Sequence, residues 1–299
     1  MNEEVRLSRL RISRRRAMSL GGTVGLTGVL AACAGGSTSA SSSTVPSSTV
    51  PSSTAAAAPS SASPPAGADL VTMLNRANTC ALTKEQTQGP YWFDVDSIRA
   101  DIREDRPGAV LALALRVHDL TGCTAGDAAT AVPNAVVEIW HCDAGGVYSG
   151  FQSASQSARQ NGRPTGPPPA RATSEKSAGS YSIGDAEAAT TDDATYLRGA
   201  QVADSQGIVQ FTTVYPGWYA GRTTHIHCKV HLDKKTVLTT QLYFEDTVTQ
   251  QVYGSAPYSG HTGRDTTNTN DSIFDRSGLL TIQPQGNGYL GVVNLGIDV

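Results

Sequence analysis

The 299-residue sequence contains no Gly-x-Ser-x-Gly elbow, no His-Glu-x-x-His motif, no glycine loop of the phosphate-cradling kind and no dinucleotide fingerprint. Elbow-type serine hydrolases, zincin proteases, P-loop enzymes and Rossmann dehydrogenases are therefore excluded. A Cys-x-x-Cys pair is also missing. Net charge is only −3, and no basic stripe interleaved with aromatics follows the first few dozen residues, so nucleic acid is not an expected partner. The mildly apolar stretch that ends at Ala32 is shorter than the roughly 20 residues a membrane-spanning helix needs.

Residues 1–33 instead have the organisation of an export signal. An arginine-dense start containing Arg14-Arg15-Arg16 suggests the twin-arginine route, and Leu30-Ala31-Ala32-Cys33 resembles a bacterial lipobox. On that reading Cys33 is lipidated and gives the only membrane attachment, making the protein an exported cell-surface or extracellular lipoprotein. Residues 34–67 are almost wholly Ser, Thr, Ala, Pro and Gly, without charge. Such a segment cannot bury enough surface to offset its ordering entropy and suits a tether. Residues 68–299 are then one folded domain. Its four cysteines, Cys80, Cys123, Cys142 and Cys228, allow three connectivities, and sequence does not choose among them.

Within that domain, apolar or alternating runs recur at short intervals. They lie at 109–119, 135–142, 197–203, 208–214, 237–244, 279–282 and 289–297, separated by Gly/Pro turns. Short helices are expected only at 69–77 and 245–253. The pattern predicts an all-β fold, a β-sandwich. Residues 152–194 interrupt it as a long polar insertion, a lid or a partly disordered loop.

The most informative stretch is 214–231, VYPGWYAGRTTHIHCKVH. His225 and His227 are two apart in a segment of β-formers. In a strand they point to one face with Cβ atoms roughly 6.5 Å apart, close enough for two imidazoles to share a metal ion. His231 has the same parity but lies roughly 13 Å beyond His227, too far for the same ion without a bulge. The remaining ligands must come from elsewhere. Tyr219 and Arg222 lie just upstream, and a glycine pair sets Tyr148 just past an earlier strand.

These segments resemble the intradiol ring-cleavage dioxygenases, the family of catechol 1,2-dioxygenase and protocatechuate 3,4-dioxygenase. The matching residues are Thr87-Gln88-Gly89-Pro90-Tyr91, Val137 to His141 with Gly146-Val147-Tyr148, Pro216-Gly217-Trp218-Tyr219, Arg222 to His227, and Thr240-Gln241-Leu242-Tyr243-Phe244. The likeness is nearest to the secreted single-domain branch. It implies that Tyr148, Tyr219, His225 and His227 bind a non-haem Fe(III). Phenolate oxygens favour this hard cation, and the resemblance implies that Tyr219 also helps take up a substrate proton. It further implies that Arg222 and Gln241 orient the substrate and stabilise charge on its ring, and that Gly89, Pro90 and Tyr91 line the pocket mouth. The implied reaction inserts both atoms of O2 into a catechol-type diol and opens the ring between the hydroxylated carbons to a muconate-type diacid.

His118, His141, His231 and His261 read as structural, and Cys228 points away from the ligand face. The helical dimerisation region of the cytosolic catechol enzymes is missing, which leaves the oligomeric state open, a homo-oligomer included. Three other readings compete. One is a non-catalytic sandwich module binding an aromatic or carbohydrate ligand at the cell surface. Another is a zinc hydrolase, which two phenolates suit poorly. The third is an Fe(II) extradiol site needing a carboxylate, for which Asp233 lies beyond the strand and too far away.

Overall fold

The computed structural model describes residues 67–77, 80–95, 97–123, 129–155 and 188–299. The expected signal, most of the tether, and residues 156–187 of the insertion fall outside the described residues. Two sheets carry the architecture. In the first, β1 (Val110–Asp119) pairs in parallel with β9 (Gly288–Ile297), whose far side pairs with β8 (Thr281–Gln285). The other side of β1 takes β5 (Ile208–Val214) and then, at its end, the two-residue β2 (Thr130–Ala131), both antiparallel. The second sheet is antiparallel throughout, in the order β4 (Arg198–Val202), β3 (Val136–Trp140), β6 (His225–Leu232), β7 (Lys235–Tyr243).

Strand alternation assigns each residue its side. Leu111, Leu113, Leu115 and Val117 of β1 meet Val137, Ile139, Ile226, Cys228, Val230, Leu238 and Leu242 from the second sheet in the main core. At about 25 cal/mol per Å2 of apolar surface removed from water, this interface supplies the main driving force for closing the sandwich. The opposite face of β1 is also apolar because α1 (Gly67–Arg76) covers it. Leu70, Met73 and Leu74 pack on Ala112, Ala114, Leu290 and Val292. Burial on both faces explains why the run at 109–119 alternates so poorly.

The β6–β7 hairpin turns through Asp233 and Lys234, both at positive φ, as a two-residue turn between right-twisted strands requires. α2 (Asp246–Tyr253) follows β7 where a short helix is expected. β3 ends at Trp140, two residues short of Cys142, because His141 turns aside to bond Thr213 Oγ1 and the Cys142 carbonyl, each at 2.8 Å. Cys80 and Cys123 form a disulfide, while Cys142 and Cys228 stay as buried thiols, Cys228 within the main core.

The odd-numbered residues of β6, His225, His227, Lys229 and His231, project from the other face of the second sheet. Loops rather than a third layer cover that face, and the site is built there.

Candidate metal centre

Three loops converge on the two histidines. Tyr148 arrives on the loop after β3. Asp143 organises that loop, its Oδ1 accepting from the amides of Gly145 (2.9 Å) and Val147 (3.0 Å). Tyr219 arrives on the loop before β6. The two tyrosine loops touch backbone to backbone, and glycine makes this contact feasible. A Cβ on Gly146, which also has φ +80°, would lie 2.1 Å from the Trp218 carbonyl oxygen, and one on Gly217 would lie 2.4 Å from that of Asp143. The third loop is 86–93. The Cα of Gly89, at φ +67°, faces His227 so closely that a Cβ would sit 3.3 Å from its Cε1.

The result is a chain of donor atoms in equal steps. Tyr219 Oη is 3.1 Å from His225 Nε2, His225 Nε2 is 3.1 Å from His227 Nε2, and His227 Nε2 is 3.1 Å from Tyr148 Oη. Bonds of about 2 Å to a common cation put neighbouring donors about 3 Å apart, so the spacing fits a ligand set around one ion. Tautomer selection points the same way. His225 Nδ1 lies 2.6 Å from the Thr223 carbonyl, which can only accept, so Nδ1 carries the hydrogen and Nε2 presents its lone pair. His227 stacks flat on Trp140, with centroids 4.9 Å apart and 6° between planes, and its Nδ1 is buried without a hydrogen-bond partner.

Electrostatics shows what the cluster lacks. Burial, reinforced by the neighbouring Tyr219, drives the Tyr148 phenol well above its ordinary range. Burial also raises Tyr219, to about 12, with Arg222 pulling the other way. Both histidines are held well below 6.5, first by burial; Arg222 adds to this at His225, and His225 and Arg222 add to it at His227. Two neutral phenols and two neutral imidazoles thus crowd together with no anion or cation among the four to balance. A bound multivalent cation would favour the phenolates and take up the imidazole lone pairs. The donor set therefore fits a hard metal ion. Among the described residues no group of three or more His, Cys, Asp and Glu gathers to hold one, so this site depends on its two tyrosines for half of its donors.

Arg222 stands beside the cluster in a fixed pose. Its Nε donates to Asp271 Oδ2 at 3.0 Å and its Nη2 donates to Gln241 Oε1. Gln241 Nε2 in turn donates to the Thr87 carbonyl at 2.9 Å. Burial works against the guanidinium charge, but Tyr219 and Asp271 outweigh it and raise its pKa. Tyr91 packs on the cluster from the 86–93 loop, its ring 5.0 Å from that of Tyr148. Pro90 holds the same loop in place, its carbonyl accepting from Ala188 N at 2.8 Å. His118, His141, His231 and His261 all lie outside the donor chain; His261 stacks on Trp218 at 4.0 Å and His231 faces Glu138. Sequence reasoning did not find Asp271, Trp140 or Thr223 as supports of the site.

A protein-family model described as Dioxygenase matches residues 88–252, the span that holds every one of the four donors. An intradiol ring-cleavage dioxygenase from Tetranychus urticae is 30% identical, with 73% of this chain and 95% of that chain covered and a TM-score of 0.57. The chain belongs to the intradiol ring-cleavage dioxygenases. A second solved dioxygenase has 29% identity over the same shares of the two chains, also at a TM-score of 0.57. The dioxygenase domain of a dioxygenase–carbohydrate-binding fusion from Streptomyces sp. SirexAA-E is 25% identical over 73% of this chain and 99% of that one, at a TM-score of 0.47. No curated protein sequence matches significantly. Intradiol dioxygenases as a family use non-haem iron and act on catechols with O2.

Proposed function

We propose that this intradiol dioxygenase holds Fe(III) through Tyr148, Tyr219, His225 and His227 and cleaves catechol-type diols between their hydroxylated carbons, giving muconate-type diacids. The observation that carries the reading is the run of four donor atoms at 3.1 Å steps, with Arg222 braced beside it. Ferric iron would supply the Lewis acidity and one-electron redox capacity that a diolate needs to react with O2.

The chain's own residues would do the rest. His225 and His227 present lone pairs from a rigid central strand. Tyr148 and Tyr219 would serve as phenolate ligands, each with its proton removed from Oη. Tyr148 is fully buried whereas Tyr219 is only partly so, which makes the Tyr219 Oη the one that an incoming catechol hydroxyl can reach to exchange a proton. Arg222 places a fixed positive charge where the substrate's anionic form must sit, and Asp271 and Gln241 keep it from swinging away. Gly89 leaves space beside His227, and Tyr91 offers a flat apolar wall for an aromatic ring. A non-catalytic module is not favoured, since ligand binding alone requires neither the donor set nor a braced arginine beside it.

The test is oxygen uptake by iron-loaded protein against a panel of catechol, hydroxyquinol and protocatechuate, with labelled O2 traced into product. Both labelled atoms should appear in an open-chain diacid. No uptake with any diol, or a single labelled atom in the product, contradicts the proposal. We further propose that the protein works outside the cytoplasm, tethered through Cys33. Replacing Cys33 by Ser should release it from the membrane fraction, and unchanged fractionation contradicts the anchor.

A further inference from the structure

We propose that Lys229 is a positioning residue, whose buried ammonium clamps the 87–92 segment against the histidine-bearing face and so sets the wall on which an aromatic diol packs. The effect on substrate rests on the functional reading above; the clamp itself does not.

Lys229 follows His227 by two on β6 and shares its face, yet its side chain is entirely buried. Lysine is almost never fully buried unless its charge is met. Here Nζ donates to Gln88 Oε1 at 2.6 Å and lies 3.7 Å from the centre of the Trp92 ring. Trp92 is tied down on its edge as well, its Nε1 donating to Glu138 Oε1 at 3.1 Å. Glu138 is the cross-strand partner of Lys229 on β3. A carboxylate, an indole, an amide and an ammonium thus form one linked group, one step along the sheet from the four-donor cluster.

What lies between the two held residues gives the clamp its purpose. Gln88 and Trp92 bracket Gly89, which touches His227, and Tyr91, whose ring packs on Tyr148 at 5.0 Å and on Phe151 at 5.1 Å. Thr87 is fixed separately through Gln241. Both ends of the wall are therefore anchored, one through the arginine brace and the other through Lys229. Lys229 holds Gln88 and Trp92, and it acts through the segment between them.

Lys229→Met keeps the unbranched apolar stem, one atom shorter, and removes the charge and the hydrogen bonds. In metal-free protein, amide exchange within 87–92 should accelerate about tenfold or more, while β1 is unaffected, because a charge-assisted bond to a buried amide is lost. Gln88→Leu cuts the same contact from the loop side and should reproduce this, which covers the case in which the lysine variant does not fold. In iron-loaded protein, KM for catechol should rise about tenfold while kcat and the visible colour change little, since the donors are untouched. Exchange in 87–92 that stays at the wild-type rate in the folded variants, or that rises equally in β1, overturns the clamp. A kcat that falls with KM unchanged overturns the positioning role. A wild-type protein lacking both colour and oxygen uptake refutes the functional reading instead, and the exchange result then decides the clamp alone.

Discussion

Asp271→Asn tests the brace behind Arg222. The carboxylate accepts three hydrogen bonds: Arg222 Nε at 3.0 Å and Thr223 N at 2.9 Å on Oδ2, and Ile273 N at 2.8 Å on Oδ1. All three partners donate. An asparagine must turn its NH2 toward one side, so a donor faces a donor whichever way it sits. One bond is lost and the ionic character of the arginine contact goes with it. The side chain of Asp271 is 1% exposed and that of Arg222 15%, so solvent replaces little of the loss. A broken neutral bond and a weakened charge-assisted one together cost about 2–4 kcal/mol. For a domain of this size that is a drop of roughly 5–15 °C in Tm. Freed from Asp271, the guanidinium can drift by an ångström or so, a misplacement that can lower kcat/KM by about a hundredfold. Thermal unfolding by circular dichroism and steady-state kinetics on the same preparation give both numbers. The cycle with Arg222→Met adds a third, because paired residues should show a coupling of about 1 kcal/mol or more. Additive effects, or a Tm within about 1 °C of wild type with unchanged kcat/KM, would refute the brace.

Two further predictions follow from burial and backbone geometry. Gly89→Ala puts a methyl 3.3 Å from His227 Cε1 on a backbone at φ +67°; strain of about 1–2 kcal/mol and a displaced imidazole should lower iron affinity, measured as metal retained after dialysis against a chelator, and full retention contradicts it. His141 is held neutral with a folded pKa of about 4, mainly by burial, against an ordinary 6.5. The unfolded chain therefore takes up that proton first, so the contribution is intact above about 6.5 and drains by about 1.4 kcal/mol per pH unit down to about 4. Urea titrations of metal-free protein across that window should show this acid loss, and His141→Gln should flatten the slope; an unaltered slope counts against the assignment.

The convergence of His225 and His227 could be read from the chain because β-strand alternation is a strong rule: residues two apart in a run of β-formers share a face. The sandwich was legible for the same reason, through short runs punctuated by Gly and Pro, though β2, at two residues, is too short to leave any pattern. Tyr148 and Tyr219 stood out by their neighbours, a glycine pair and the His-x-His segment, but their role as ligands came only through family resemblance, since loop residues carry no periodicity. Asp271 lies 49 residues from Arg222 in a Thr- and Asn-rich loop, where an acidic residue reads as solvated. Lys229 misleads for a related reason. Alternation assigns it correctly to the face away from the core, but that face is roofed by the 86–93 loop, and nothing local in the sequence predicts a roof. The Cys80–Cys123 pairing likewise depends on a spatial meeting of segments that spacing alone does not determine.

The central claim is that two phenolates and two imidazoles of this chain share one ferric ion, and the visible absorption of the iron-loaded protein tests it most directly. Wild-type protein with one iron per chain should be wine-red from tyrosinate-to-Fe(III) charge transfer, and Tyr219→Phe should shift or abolish that band while His231→Ala leaves it unchanged. Protein that retains iron and is colourless, or a colour that Tyr219→Phe leaves untouched, would contradict the account.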